Sequence, residues 1–158
     1  MATIIFFEKP GCKGNARQKR LLRLAGHELE IKNILTHEWS KEELAKFVGD
    51  KKSFDCFNLN AVAVKSGEIQ PHQYCFKSSL DKSYDKMIQK MIEDPILIKR
   101  PLLVISGSEK EDPIYLQGFD KEKLKELIGL KSSDDSDEFE ALNQRDRNSC
   151  QNSGDTCD

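Results

Sequence analysis

The run Thr3-Ile4-Ile5-Phe6-Phe7 stops at Lys9-Pro10-Gly11, and from Asn15 the stretch Ala16-Arg17-Gln18-Lys19-Arg20-Leu21-Leu22-Arg23-Leu24-Ala25 is built of strong helix formers. No other juncture in the chain limits the fold as much. A β-branched and aromatic run this short, bounded by turn residues, is a buried strand, and a helix starting so soon after it must pack back on the same sheet. Gly26 supplies a residue that ends the helix, and Leu29-Glu30-Ile31-Lys32-Asn33-Ile34 then alternates with period two, giving a second strand with one buried face. Together these form a β-α-β unit, so the class is α/β.

The rest of the body continues the alternation. Ser40 with Glu43 has capping-box spacing and opens a helix that turns Leu44, Phe47 and Val48 inward before Gly49, with Trp39 placed as a hydrophobic staple. A short amphipathic piece, Phe54 to Leu59, precedes Ala61 to Glu68, a segment whose pattern favours no single structure. A longer helix is expected from Ser79 to Glu93, with Leu80, Tyr84, Met87, Ile88, Met91 and Ile92 at helical spacing as core residues. Arg100 to Ile105 reads as a strand reached through Pro101, Pro113 to Gln117 as another, and Asp120 to Leu127 as a closing helix with Gly129 behind it. The predicted order is β-α-β-α, a helical insert, then β-β-α.

Composition sets the surroundings of this body. The 158 residues are 37% hydrophobic and 33% charged, and no apolar run approaches the length of a membrane span or a secretory leader, so a soluble cytoplasmic protein is expected, with no membrane association. The cysteines at 12, 56, 75, 150 and 157 are odd in number, which suits free thiols better than a disulfide framework. Charge is uneven. Residues 131–158 carry three basic against eight acidic side chains, leaving 22 basic against 19 acidic on residues 1–130. The mildly basic body lacks the dense basic stripe of a nucleic-acid binder and suits a small anionic ligand. The segment 131–158, rich in Ser, Asp and Asn, is expected to be a disordered acidic tail after a single domain spanning 1–130.

Chemistry gathers in the first loop, Pro10-Gly11-Cys12-Lys13-Gly14-Asn15. A thiol between a strand end and a helix start meets free backbone N–H groups and the positive end of the helix dipole, and Lys13 and Arg17 add charge, all of which favour the thiolate. Cys12 is therefore a candidate nucleophile, and Lys13, Gly14, Asn15 and Arg17 are candidate anion-binding residues. The loop alone leaves equally open a small residue that merely fills a turn. Asn15 stands where a second thiol would be needed, which excludes a two-thiol mechanism within this loop. Arg100-Pro101 is the second signal: a cis proline there would lie against the thiol with Arg100 facing the same anion, whereas a trans proline would simply open an edge strand. His27, His37 and His72 are scattered as surface or turn residues, and no metal site is expected. Cys56 and Cys75 read as ordinary, partly buried thiols, either of which is available to resolve a mixed disulfide formed at Cys12.

The element order, Cys12 and the run Asp94-Pro95-Ile96-Leu97-Ile98-Lys99-Arg100-Pro101-Leu102 together resemble the glutaredoxin-linked arsenate reductases and their Spx-type relatives, over about residues 2–129. Within that superfamily, Glu8-Lys9-Pro10-Gly11-Cys12, Ala63-Val64-Lys65-Ser66-Gly67-Glu68-Ile69 and Gly118-Phe119-Asp120 look most like the nitrogenase-associated branch. The resemblance implies a thioredoxin-like (glutaredoxin-like) fold: a four-stranded mixed sheet flanked by helices, with a helical insert between its β-α-β and β-β-α halves. It further implies Cys12 as nucleophile, Arg100 as an anion ligand and Pro101 as a cis-proline. Glutathione or a glutaredoxin becomes the expected reductant, nitrogenase components the expected partners, and no bound cofactor is implied. Two further oxyanion-binding arginines of the arsenate reductases are absent, because the corresponding segments here are Phe57-Asn58-Leu59-Asn60 and Tyr115-Leu116-Gln117-Gly118. Efficient arsenate reduction is not expected, since each lost charge-assisted contact weakens the anion's hold. Asn15 likewise removes the paired thiol of the Spx type.

Overall fold

A computed structural model of the chain describes residues 1–107 and 111–130; the acidic segment 131–158, with Cys150 and Cys157, lies outside them. Strand β1 (Thr3–Glu8) runs through the middle of a four-stranded sheet of order β2-β1-β3-β4. It pairs in parallel with β2 (Glu28–Asn33), Ile4 against Leu29, and antiparallel with β3 (Leu102–Ser106), Phe6 against Leu103. Strand β4 (Ile114–Gln117) adds to β3 antiparallel, so the sheet is mixed. Helix α1 (Lys13–Leu24) links β1 to β2. Helices α2 (Lys41–Val48), α3 (Ser53–Cys56), α4 (Val62–Lys65) and α5 (Lys82–Glu93) lie between β2 and β3, with single 3-10 turns at Pro71–Tyr74 and Pro95–Leu97, and α6 (Lys121–Ile128) closes the body.

Alternation along the strands divides the core into two layers. Ile4 and Phe6 of β1, with Leu103, Ile105 and Leu116, pack beside Leu22 of α1 and Leu124 of α6. Phe7 and Leu102 face the other way, onto Leu44, Phe47 and Val48 of α2 and Tyr84, Met87, Ile88 and Met91 of α5. Each such fully buried side chain contributes about 2 kcal/mol of transfer free energy, which is what keeps both helical layers on the sheet. Trp39 joins the second layer, its ring tilted 45° to that of Phe7 with centroids 4.9 Å apart, and donates its indole N–H to Ile34 O at 3.0 Å.

Several local expectations change on folding. Helix α1 begins at Lys13 rather than Asn15, with Cys12 itself as its N-cap. Leu80 is 91% exposed and precedes α5, because Asp81 rather than Ser79 ends the preceding turn, its carboxylate accepting from Lys77 N–H. Ile31, on edge strand β2, is exposed instead of core-facing. Ser40 Oγ accepts from Glu43 N–H at 3.1 Å as its spacing implies, while the Glu43 carboxylate contacts His37 Nε2, 3.0 Å from each oxygen. His27 is not a surface residue. It is 7% exposed, its Nδ1 accepts from Ala2 N–H at 3.1 Å, and its Nε2 lies 2.9 Å from Gly129 O. A backbone N–H can only donate, so the proton sits on Nε2 and both ring nitrogens are engaged.

Candidate functional site

At the end of β1 the chain reverses through Lys9-Pro10-Gly11, where Gly11 has a φ of 80° and Cys12 N–H donates to Lys9 O at 3.2 Å. The Cys12 carbonyl then accepts the first helical bond, from Ala16 N–H at 3.1 Å, and the thiol makes no capping bond. The half-buried sulfur stands at the positive end of a 12-residue helix whose first turn has no acidic residue. It lies over Gly14, where an added Cβ would be 3.8 Å from Sγ.

Asn15 explains the loop's shape. It is buried, its Oδ1 accepts from Lys9 N–H at 3.3 Å, and its Nδ2 donates to Gln18 Oε1 at 2.9 Å. The side chain thus occupies the place of a second thiol and fastens the loop to the helix. Lys19 and Glu8, paired at 2.6 Å, hold the same helix against the end of β1.

The opposite wall is built by two segments distant in sequence. Asn58 N–H donates to Leu97 O at 2.7 Å, Lys99 N–H to Cys56 O at 3.0 Å, and Asn58 Nδ2 to Ile96 O at 3.1 Å. Gln117 ties the pair from β4, its Nε2 donating to Cys56 O at 3.0 Å and Lys99 O at 3.1 Å. The Arg100–Pro101 peptide bond that follows is cis.

Between the two walls lies a cavity of about 390 Å³. Cys12, Gly14, Asn15 and Arg100 line it, whereas Lys13, which is exposed, and Arg17 are outside the lining. Lys99, Asp55, Asn58 and Asn60 also line it, with Phe57 and Leu59 as apolar surface. Lys99 falls within the Asp94 to Leu102 run, whereas Asp55, Asn58 and Asn60 have no motif of their own; the one sequence signal for them was the resemblance, which implies an arginine in the segment Phe57 to Asn60. Asn60 brings an amide there, while the Asn58 amide is engaged within the wall, its Nδ2 donating to Ile96 O and its Oδ1 accepting from Asn60 N–H. Gln117, in the other arginine-less segment, serves the backbone and does not reach the lining.

Behind the cavity wall, Lys51 Nζ donates to Gln117 Oε1 at 2.7 Å and to Phe47 O at 3.1 Å. Burial pulls its ammonium down to about 8, offset in part by the neighbouring Cys56. Burial pushes the Cys56 thiol up to about 11, and the thiol donates to Lys52 O at 3.3 Å. Cys56 is thus fully buried in the core rather than partly buried, and Cys75 is exposed. Among the described residues no three His, Cys, Asp or Glu side chains gather as metal ligands, and no helix is long and apolar enough to cross a membrane.

No protein-family model matches the chain. The chain is 36% identical over 137 residues to an uncharacterised 15.7 kDa protein in the draG 3′ region of Rhodospirillum rubrum, covering 87% of this chain and 86% of that one. It is 24% identical over 104 residues to the arsenate reductase of Acidiphilium multivorum, covering 66% of this chain and 70% of the enzyme. Among solved structures, an ArsC-family-related protein from Bacteroides fragilis superposes with a TM-score of 0.61 at 21% identity, over 78% of this chain and 96% of that one. The Vibrio cholerae arsenate reductase gives 0.58 at 20%, over 80% and 98%. Sequence and fold agree: the chain belongs to one family with the draG 3′-region protein, and the arsenate reductases (ArsC) are its more distant homologues on the same thioredoxin-like fold.

Proposed function

We propose that this protein is a monothiol oxidoreductase of the reducing cytoplasm, in which Cys12 attacks an oxidised sulfur substrate and glutathione or a glutaredoxin resets it. The observation that carries this reading is the Cys12 thiol at the N-terminus of α1, opening into a cavity it shares with Lys99 and Arg100. In the first step the Cys12 thiolate attacks one sulfur of a disulfide, the S–S bond breaks, and the departing thiolate takes a proton from water. In the second, an external thiolate attacks the substrate sulfur of the mixed disulfide, forms a new disulfide with it and releases Cys12 as thiolate. Arg100 is the charge that steadies the departing anion. Arsenate is a poor candidate, because the two segments that would supply further arginines supply Asn58, Asn60 and Gln117.

Site-resolved alkylation by iodoacetamide at pH 7, read by mass spectrometry, tests this. Cys12 is expected to react about tenfold faster than the exposed Cys75, and incubation with glutathione disulfide to place glutathione on Cys12. Equal rates at the two cysteines would sink the proposal.

A second reading is favoured by Phe54 and Leu59, 53% and 45% exposed on the cavity wall. Apolar side chains so placed suit a protein partner, and the resemblance to the nitrogenase-associated branch makes nitrogenase components the ones to try. In that case Cys12→Ser retains partner binding undiminished.

A further inference from the structure

Lys99 and Arg100 are consecutive, and both line the cavity of Cys12. The backbone of Lys99 is held on both sides, its N–H donating to Cys56 O at 3.0 Å and its carbonyl accepting from Gln117 Nε2 at 3.1 Å. Its side chain folds over Gly118, with Cε 3.6 Å and Nζ 3.9 Å from the point that a Cβ there would occupy. Gly118 has a φ of 83° and donates its N–H to Pro101 O at 2.8 Å, so the ammonium is kept close to the cis bond.

The charges on the wall decide what this ammonium does. Arg100 is positive and Asp55 negative, Lys13 and Arg17 stand outside, and Asn58 and Asn60 are neutral. Lys99 and Arg100 together outnumber Asp55, so the wall is net positive, and the Lys99 ammonium is one of the two charges that make it so. A volume of about 390 Å³ falls in the range that holds small organic ligands, well above the need of a lone tetrahedral oxyanion.

We propose that Lys99 selects the substrate of Cys12: its ammonium, held over Gly118 in the cavity wall, gives the thiol a preference for disulfides that carry a carboxylate near the reacting sulfur. This rests on Cys12 being a nucleophile. The covalent step is the exchange already described, and Lys99 forms no bond in it; the ion attracts the carboxylate and raises its local concentration.

Iodoacetate and iodoacetamide, nearly equal in shape but differing by one negative charge, separate the two ideas. Their site-resolved rates at Cys12 are measured in the wild type, Lys99→Gln, Lys99→Arg and the remote control Lys86→Gln. In Lys99→Gln the iodoacetate to iodoacetamide ratio is expected to fall about twofold or more at low salt, to be restored by Lys99→Arg, and to be untouched by Lys86→Gln. Glutathione disulfide should lose rate in the same variant while the uncharged 2-hydroxyethyl disulfide does not. A ratio that stays constant, or an equal fall with both reagents, overturns the assignment of Lys99. A wild-type Cys12 that is slow with iodoacetamide overturns the nucleophile reading instead.

Discussion

Asn15 and Lys99 illustrate how far single residues govern this site. Asn15 uses its carbonyl oxygen on the loop and its amide nitrogen on the helix, so Asn15→Ala leaves the Lys9 N–H without its acceptor in a partly buried place. A loss of about 1–2 kcal/mol in urea unfolding is expected, together with a change in the Cys12 alkylation rate. An unchanged midpoint and rate would show that the loop holds itself. Cys12, Gly14, Asn15 and Arg100 were legible in the sequence, because a cysteine after Pro-Gly and an arginine before proline carry local signals. Lys99 was not. Its place depends on Gly118 passing beneath it, and only the pairing of β4 with β3 brings them together. Lys13 and Arg17 are near Cys12 in sequence, but successive positions along a helix point in different directions, and these two lie outside the lining.

Where α2, α3 and β4 meet, Lys51 and Cys56 give the molecule a pH dependence with a definite sign. Lys51 is lowered from 10.5 to about 8 by burial, so between those values the unfolded chain holds a proton that the folded one has shed, and stability rises with pH. Cys56 is raised from 9.0 to about 11, so the folded state keeps the proton longer and stability falls with pH across that range. From about pH 8 to 9 only Lys51 acts. Urea titrations should show Lys51→Met losing the rise in that window relative to wild type, and Cys56→Ala losing the decline above about 10.5; parallel curves for wild type and both variants would contradict this account. A neutral Lys51 still has two N–H groups for Phe47 O and Gln117 Oε1, so the junction survives deprotonation. The elements themselves were well marked in the sequence, since Ser40, Gly26, Gly49 and Gly129 punctuate the helices they bound. Boundaries slipped where a loop residue took up the first bonds of the next helix or the turn before it. The Cys12 backbone carbonyl, accepting from Ala16 N–H, moved the start of α1 earlier, and the Asp81 carboxylate, bound to Lys77 N–H, moved the start of α5 later and left Leu80 outside.

Across the whole molecule, the order of strands and helices read from the sequence is the order observed, because period-two strands and period-3.6 helices leave few ways to bury both faces of one sheet. What could not be read was how the ends are secured, since nothing near His27 in sequence hints that Ala2 and Gly129 converge on it. His27→Ala removes two hydrogen bonds at one buried site and is expected to cost about 2–3 kcal/mol in urea unfolding, with Cys12 alkylation unchanged. A loss under about 0.5 kcal/mol would show that the imidazole is incidental. Residues 2 and 129 are bridged by one imidazole ring and a hydrogen bond on either side of it, so the folded body is almost a closed loop of polypeptide. A short peptide joining them would let the chain be reopened elsewhere on its surface, as a circular permutant with Cys12 undisturbed at the other end of β1.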